Sequence, residues 1–328
     1  MRIAKKIGDG LHWLASRRER KGAILLYHRV AVDRGDAFKL CVSPNHFEEQ
    51  MKYLADSRRA IPLLELVERQ RQNQIEDSPI AVTFDDGYLD NLETALPILE
   101  RYQIPATIFA VSGTPGEPFW WDHLARLIYQ AEELPKFISP PPSNLSNVSF
   151  SGRNFSRQSI FNFLHEDLRH CSKTERKEYL KSLEEELSLP ESFKVPRSMN
   201  KEELTQLAQH PLITIGAHTV SHSRLTHLEP NQQHEEVHSS REALARTIGQ
   251  PIQTFSYPFG LKKRDYSDDT IHAVREAGLH HALAADLGVV TGNSNAFALP
   301  RLWIHDIDKK QFSRRLQLWL GRSLHSTT

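Results

Sequence analysis

The sequence has 328 residues, of which 39% are hydrophobic and 25% are charged, as is usual for a globular protein with some polar segments. Its 41 basic residues balance 41 acidic residues, which argues against a nucleic-acid-binding surface. Cys41 and Cys171 stand in unlike contexts and form neither a disulfide framework nor a zinc–cysteine motif. A chain of this length is compatible with a single α/β barrel.

The first 21 residues form a basic segment with apolar residues at roughly helical spacing. This pattern fits an ordinary surface helix before the first strand, or an amphipathic helix in peripheral contact with a membrane. The segment contains no secretory apolar region, and no apolar run in the chain is long enough to span a bilayer. We therefore expect a cytoplasmic protein, with membrane association through residues 1–21 as the open alternative.

Buried-type strands and helices alternate over the first third of the chain. Apolar runs at 22–30, 80–84 and 105–111 predict strands, while apolar spacing predicts a helix from Ser43-Pro44 onward and another at 91–102. This β-α-β-α-β order is typical of parallel strands joined by crossover helices.

Residues 114–200 interrupt this alternation. They contain Trp120 and Trp121, a turn-rich stretch at 140–147, and two polar helical segments on either side of Cys171. We interpret them as a helical insertion within one domain that spans 22–328. The two tryptophans either stack on sugar rings or pack in the core.

The alternation resumes after the insertion and continues to the last predicted strands. The predicted helices cover 201–209, 231–248 and 270–277, and the predicted strands cover 212–215, 254–260, 281–285 and 298–304.

Two adjacent carboxylates follow the strand at 80–84. Asp85 and Asp86 precede Gly87, which permits a sharp turn and close approach of another group. Adjacent side chains at a strand end diverge, so the two acids can perform different tasks at one site. On its own, the pattern is more simply explained by a strand that ends in an ordinary Asp-Gly turn.

A pair of histidines follows the strand at 212–215. His218 and His222 have i, i+4 spacing, which would place both imidazoles on one side of a helical turn and suits a small cation. His227 is a further candidate ligand, although an exposed turn histidine is the simpler interpretation. Chance pairs are common among the 17 histidines of this chain.

Together, these features predict a site with two histidines and one carboxylate. One of Asp85 and Asp86 would bind a divalent metal ion, for which Zn²⁺ suits mixed nitrogen and oxygen ligands. The other acid would remain free as a general base beside activated water. This arrangement hydrolyses acyl bonds without a covalent intermediate.

Three motifs give the chain a recognisable resemblance. Thr83–Tyr88, His218–His222 and Tyr257–Gly260 occur in the order and context found in the polysaccharide deacetylases, the NodB-homology carbohydrate esterase family 4. The resemblance covers about 23–113 and 201–307. Segments 22–30 and 298–304 resemble the exopolysaccharide-biosynthesis branch of that family.

The resemblance implies a distorted (β/α)7 barrel that removes acetyl groups from sugars with the help of a metal ion. It assigns Asp85 as the base and Asp86, His218 and His222 as zinc ligands. It also implies an oxyanion held by the metal and a backbone N–H near Tyr257. Pro258 and Gly260 would shape the groove wall, where Trp121 is a candidate sugar contact.

The sequence departs from the family pattern at two positions. Many members carry an arginine that positions the base where this chain has Ser256, and Arg301 could supply the charge instead, unless it forms a surface salt bridge. The usual Leu-x-His general acid is not cleanly present. His28, His281 and His305 are the candidates, with His28 first because it ends a barrel strand.

We therefore expect a metal-dependent hydrolase that removes acetyl groups, most simply N-acetyl, from a polysaccharide or lipid-linked sugar. Hydrolysis of a small imide or ureide on the same barrel is the alternative enzymatic reading. A degenerate sugar-binding module is the non-enzymatic alternative. A phosphoaspartate-type phosphotransferase is disfavoured because it would not use the histidine pair.

Overall fold

The computed structural model describes residues 20–33, 35–135, 138–142, 155–190 and 193–320. The basic segment at 1–21 lies almost entirely outside these residues, so its helix and its membrane contact remain predictions. Within the described ranges, no helix combines the length and the apolar character needed to cross a lipid bilayer.

Seven parallel strands form a closed barrel, which confirms the predicted (β/α)7 architecture. The strands of the described chain are β1 (Ala23–Tyr27), β2 (Arg29–Val30), β3 (Cys41–Val42), β4 (Ile80–Phe84), β5 (Ala106–Ala110), β6 (Ile213–Ala217), β7 (Thr254–Ser256), β8 (His281–Leu287) and β9 (Leu299–Trp303). The order around the barrel is β1-β4-β5-β6-β7-β8-β9, and β9 pairs with β1 to close it, while β2 and β3 form a separate pair. Every residue of β1, β4 and β5 is buried, as expected where helices cover a parallel sheet.

The helices surround this barrel and alternate with its strands outside the insertion. They are α1 (Pro44–Ser57), α2 (Leu63–Arg71), α3 (Leu96–Tyr102), α4 (Trp120–Gln130), α5 (Arg157–Leu168), α6 (Lys173–Glu186), α7 (Lys201–Ala208), α8 (Pro230–Ile248), α9 (Asp268–Glu276) and α10 (Lys309–Leu320). A π-helical turn at Asn91–Ala95 leads into α3, and a 3-10 turn at Leu225–His227 precedes α8.

The inserted helices α4, α5 and α6 pack around their own apolar cluster, which includes Leu124, Phe161 and Leu180. A smaller cluster of Tyr88, Val111, Phe119 and Trp121 joins α4 to the ends of β4 and β5. The insertion therefore stands over the carboxyl end of the barrel.

The barrel is least regular at β7 and β8. Strand β7 has only three residues and meets β6 through the single register pair Ala217 and Phe255. The pairing of β8 with β9 shifts between Leu283 and Leu287. Because β7 ends early, Ser256 and the loop after it turn toward the ends of β4 and β6.

Candidate active site

The predicted acids and histidines meet at the carboxyl ends of the barrel strands. His28, Asp85, Asp86, His218 and His222 all line one cavity of about 310 Å³. Parallel-strand barrels place their functional side chains at this end because the loops that follow the strands converge there.

Asp86 and the two histidines form a compact cluster at the floor of this cavity. Oδ1 of Asp86 lies 3.4 Å from Nε2 of His218 and 3.2 Å from Nε2 of His222. One ligand atom from each of the three residues falls within 4.8 Å of the others. This Oδ1 atom is buried and makes no hydrogen bond within the described residues.

The tautomer of His218 shows why a cation suits this cluster. Nδ1 of His218 lies 2.7 Å from the backbone carbonyl oxygen of Ser256, which can only accept a hydrogen bond. Nδ1 therefore carries a proton, and Nε2, which faces the Asp86 carboxylate, is the ring nitrogen left to bind a cation. An imidazole nitrogen and a carboxylate oxygen at this separation form a donor set that a divalent metal ion accepts.

The loop that carries the two histidines differs from the prediction. We expected a helical turn at 218–222, but Thr219 and His222 have left-handed backbone with φ of +63° and +56°. The backbone N–H groups of Val220 and Ser221 instead donate to Oε2 of Glu236, each at 2.9 Å. A strained loop held from α8, rather than helical spacing, brings the imidazoles together.

Asp85 lines the same cavity as this cluster and is held by a buried arginine. Arg301 is fully buried, and its two terminal nitrogens donate to Oδ1 and Oδ2 of Asp85 at 2.8 and 2.7 Å. Ser256 lies between them: its hydroxyl donates to Asp85 at 3.1 Å and accepts from Arg301 at 2.9 Å. The surface salt bridge considered for Arg301 is therefore excluded.

The charges of the site keep both acids ionised. Burial alone raises the pKa of Asp85, but the charges of Arg301 and His218 outweigh it and lower that pKa below its ordinary value. Burial is likewise outweighed at Asp86, where His222 and His218 lower the pKa well below its usual range. The adjacent carboxylates thus have separate partners and separate electrostatic surroundings.

Comparison with known proteins identifies the family. The model of the polysaccharide deacetylase family matches residues 72–282, which is more than half of the chain. The chain belongs to the polysaccharide deacetylase family. The family includes N-deacetylases, which places the chain among hydrolases that act on carbon–nitrogen bonds other than peptide bonds.

Individual relatives are distant but cover most of the chain. It is 22% identical over 304 residues to Bacillus subtilis (strain 168) YxkH, provisionally named a polysaccharide deacetylase, covering 92% of this chain and 78% of that protein. It is 23% identical over 283 residues to a Staphylococcus aureus (strain MRSA252) poly-beta-1,6-N-acetyl-D-glucosamine N-deacetylase, covering 85% and 72%.

Two solved structures share the fold. Streptococcus pyogenes deacetylase PplD, in complex with acetate, superposes with a TM-score of 0.60 at 16% identity, over 91% of this chain and 99% of that one. IcaB from Ammonifex degensii gives 0.58 at 16% identity, over 92% and 98%.

The candidate general acids of this deacetylase family member are separated in space. His28 lines the cavity beside the two acids, 6.2 Å from the ring of Trp303. His281 is the first residue of β8, at the opposite end of the barrel. His305 lines a neighbouring pocket with Asp306 and Arg315. His227, the further candidate ligand, lies in the 3-10 turn outside the metal cluster.

Tyr257 does not lie where the resemblance implied. Its backbone N–H donates to Leu283 at 3.1 Å within the barrel, so it is not available to an oxyanion. Its ring is buried against Tyr266 at 4.1 Å, and its hydroxyl donates to Phe297. Tyr257 is therefore a core residue, because its backbone N–H and its ring are both engaged inside the barrel.

Between Pro258 and Gly260, which are buried, Phe259 reaches the cavity and lies 5.0 Å from the His222 ring. Phe259 is not among the predicted site residues, although it stands inside the Tyr-Pro-Phe-Gly motif. An aromatic residue in a motif at a strand end was the signal that could have identified it.

The two tryptophans of the insertion have different positions. Trp121 lines the cavity and packs on Phe119 at 4.6 Å and on His222 at 4.8 Å, so it is both a packed residue and a cavity wall. Trp120 stacks on His165 at 4.9 Å and does not line the cavity.

Further cavity residues were not predicted from the sequence. The aromatic and basic ones among them are Phe38, His165, Arg169, Arg224, Arg264 and Trp303. Most come from loops and the insertion, whose positions over the barrel no local sequence pattern specifies.

Proposed function

We propose that this protein removes N-acetyl groups from a polysaccharide or a lipid-linked sugar. The separation of the two adjacent carboxylates carries this proposal: Asp86 faces two imidazoles, whereas Asp85 is held by Arg301 and Ser256. Such a division supports one acid as a ligand and the other as a base.

Asp86, His218 and His222 would hold one divalent cation, with Zn²⁺ suited to their mixed donor set. When bound, the ion supplies the Lewis acidity that activates water and polarises the acetyl carbonyl group. His218 is fixed for this task by the hydrogen bond from its Nδ1 to the Ser256 carbonyl oxygen.

Asp85 accepts the proton of the attacking water in this proposal. Arg301 and Ser256 fix the orientation of its carboxylate, and the lowered pKa keeps it ionised at neutral pH. His28, across the cavity at the end of β1, is the residue we assign to protonate the leaving amine. His281 and His305 lie outside this cavity.

The shape of the cavity favours a glycan over a small imide or ureide. Its walls include Trp121 and Phe259, and its mouth carries the partly exposed rings of Trp303 and Phe38, which are 36% and 42% accessible. Aromatic faces of this kind stack on sugar rings, and an accessible mouth admits a longer substrate.

Acetate release tests the proposal directly. Purified protein loaded with zinc is expected to release acetate from N-acetylglucosamine oligomers or a lipid-linked acetamido sugar, and a chelator should stop the reaction. Asp85→Asn should retain zinc and lose roughly 10²- to 10⁴-fold in kcat. Asp86→Asn should lose both the activity and the metal. Activity that persists in a metal-free variant would refute the assignment.

A further inference from the structure

Three arginines converge on the mouth of the active-site cavity from different parts of the chain. Arg169 follows α5 in the insertion, Arg224 follows the histidine loop, and Arg264 lies in the loop after β7. We name these three residues the arginine rim. They are brought together by the tertiary fold and are not the charged face of one helix.

Two members of the arginine rim lie over the same aromatic ring. The guanidinium carbons of Arg169 and Arg224 are 5.9 and 5.3 Å from the centre of the Phe259 ring. Phe259 in turn lies 5.0 Å from the ring of His222. Both guanidinium groups and a candidate metal ligand therefore lie against the same aromatic ring.

The arginine rim has more positive than negative charge. Arg224 and Arg264 share the buried carboxylate of Asp265, at 2.8 and 3.0 Å. Arg169 pairs with Glu166 at 2.7 Å, whose side chain is 61% exposed. Three guanidinium groups thus have two carboxylate partners.

The cavity itself offers little compensation for this charge. Among the described residues that line it, the only carboxylates are Asp85 and Asp86 on the floor, where Arg301 and the histidines engage them. One positive charge at the mouth therefore remains without a carboxylate.

The charges of the arginine rim also act on a neighbouring histidine. Burial lowers the pKa of His165 to about 4, and the charges of Arg169 and Arg224 contribute to the shift despite the opposing charge of Glu166. His165 lines the cavity beside the arginine rim and is neutral at physiological pH.

We propose that the acetamido sugar acted on by this enzyme carries an anionic substituent, a phosphate or a carboxylate, which the arginine rim binds at the cavity mouth. This inference rests on the proposed function and specifies its substrate class. The side chains of Arg169 and Arg224 are 16% exposed and that of Arg264 is 57% exposed. Guanidinium groups with an unmatched charge are suited to oxyanions, which accept paired hydrogen bonds from their planar forks. A neutral sugar polymer would leave that charge without a partner.

Binding of matched sugars tests this proposal. The zinc-loaded Asp85→Asn variant, chosen to suppress turnover, is titrated calorimetrically with three probes. They are methyl N-acetylglucosaminide, N-acetylglucosamine 1-phosphate, and the disaccharide of N-acetylglucosamine with glucuronic acid. We expect at least one charged probe to bind about tenfold or more tightly than the neutral probe, with a preference that shrinks as NaCl is added. The identity of that probe distinguishes phosphate from carboxylate.

Substitutions assign the preference to the arginine rim. Arg169→Gln and Arg264→Gln, made in the same background, should each weaken the charged probe more than the neutral probe. Arg71→Gln is the matched control, because Arg71 pairs with Glu68 three residues away on α2, as Arg169 pairs with Glu166. That control should preserve the preference. Thermal unfolding verifies that each variant is folded.

Two results would overturn the proposal. If charged and neutral probes bind with equal affinity, the cavity mouth has no anion subsite. If both rim variants keep the full preference for charged over neutral probes, the anion binds at the metal ion and not at the arginine rim. If wild-type protein releases no acetate from any probe but the rim-dependent preference persists, the deacetylase function fails while the anion subsite stands.

Discussion

At the scale of single residues, the buried pair of Asp85 and Arg301 determines how this site can work. A buried arginine without a carboxylate partner is costly, and the same is true of the carboxylate without its arginine. Ser256 contacts both side chains, and its carbonyl oxygen also holds His218. One short residue on β7 therefore connects the candidate base to a candidate metal ligand.

Breaking this pair is expected to destabilise the protein strongly. Arg301→Met should lower the free energy of unfolding by roughly 3–5 kcal/mol, because it leaves the Asp85 charge buried and unpaired. The double variant Arg301→Met/Asp85→Asn should recover part of that loss without restoring activity. Urea denaturation of the wild type, both single variants and the double variant measures the coupling, and a coupling energy near zero would contradict this account.

At the scale of elements, the loop after β7 positions Phe259 through an unusual backbone. Phe259 and Gly260 have φ of +60° and +67°, and a Cβ added to Gly260 would lie 2.6 Å from the backbone nitrogen of Ala285. Only glycine fits both constraints. Strand β8 therefore fixes the cavity wall through a close backbone contact.

A comparison of Gly260→Ala with Gly249→Ala separates the cost of the positive φ angle from the cost of the close contact with Ala285. Gly249 also has positive φ, +71°, but an added Cβ would meet nothing within 4 Å. Gly249→Ala should cost about 1 kcal/mol from backbone strain alone. Gly260→Ala should cost roughly 2 kcal/mol or more and reduce activity, since Phe259 must move. Urea denaturation with parallel kinetics tests this, and equal costs would refute the role of the Ala285 contact.

Strand β8 also carries a source of acid sensitivity. Burial, with a smaller contribution from the charge of His280, lowers the pKa of His281 to about 4, so the folded state takes up this proton less readily than the unfolded state. The contribution of neutral His281 to the free energy of unfolding is fully present above pH 6.5. It is lost as the pH falls from about 6.5 to about 4, where the unfolded chain takes up the proton first.

Over this range, wild type should lose on the order of 3 kcal/mol more stability than His281→Leu. His272→Leu is the control, because its side chain is 71% exposed. Urea denaturation at several pH values gives the comparison, and parallel curves for wild type and His281→Leu would contradict it.

At the scale of the whole molecule, the metal cluster joins distant parts of the barrel. Asp86 follows β4, whereas His218 and His222 follow β6, with the insertion between them in sequence. A cation bound to all three residues would bind only the folded chain and would therefore stabilise it as a whole.

Zinc is accordingly expected to raise the melting temperature. At a free concentration about 100 times the dissociation constant, the stabilisation is about 2.7 kcal/mol, and a chelator should reverse it. Asp86→Asn should abolish the shift. Asp306→Asn should retain it, although Asp306 lies 2.7 Å from Nδ1 of His46 and forms a second aspartate–histidine pair. Calorimetric scans with and without zinc decide between these outcomes.

The sequence by itself determined the alternation of strands and helices and the candidate residues of the site, while the barrel was implied by the family resemblance. Apolar strand runs alternating with helices specify parallel pairing, and polar residues directly after those runs must appear at the carboxyl end. Asp85, Asp86, His218 and His222 were identified for this reason, because their position depends mainly on the strand that precedes each one.

Tertiary structure decided what these residues contact. The partnership of Arg301 with Asp85 joins β9 to β4, and the left-handed loop at Thr219 and His222 replaces the helical turn that their spacing suggested. The arginine rim likewise depends on where the insertion docks. Such contacts arise from packing between segments far apart in the chain, and local residue patterns contain no direct record of that packing.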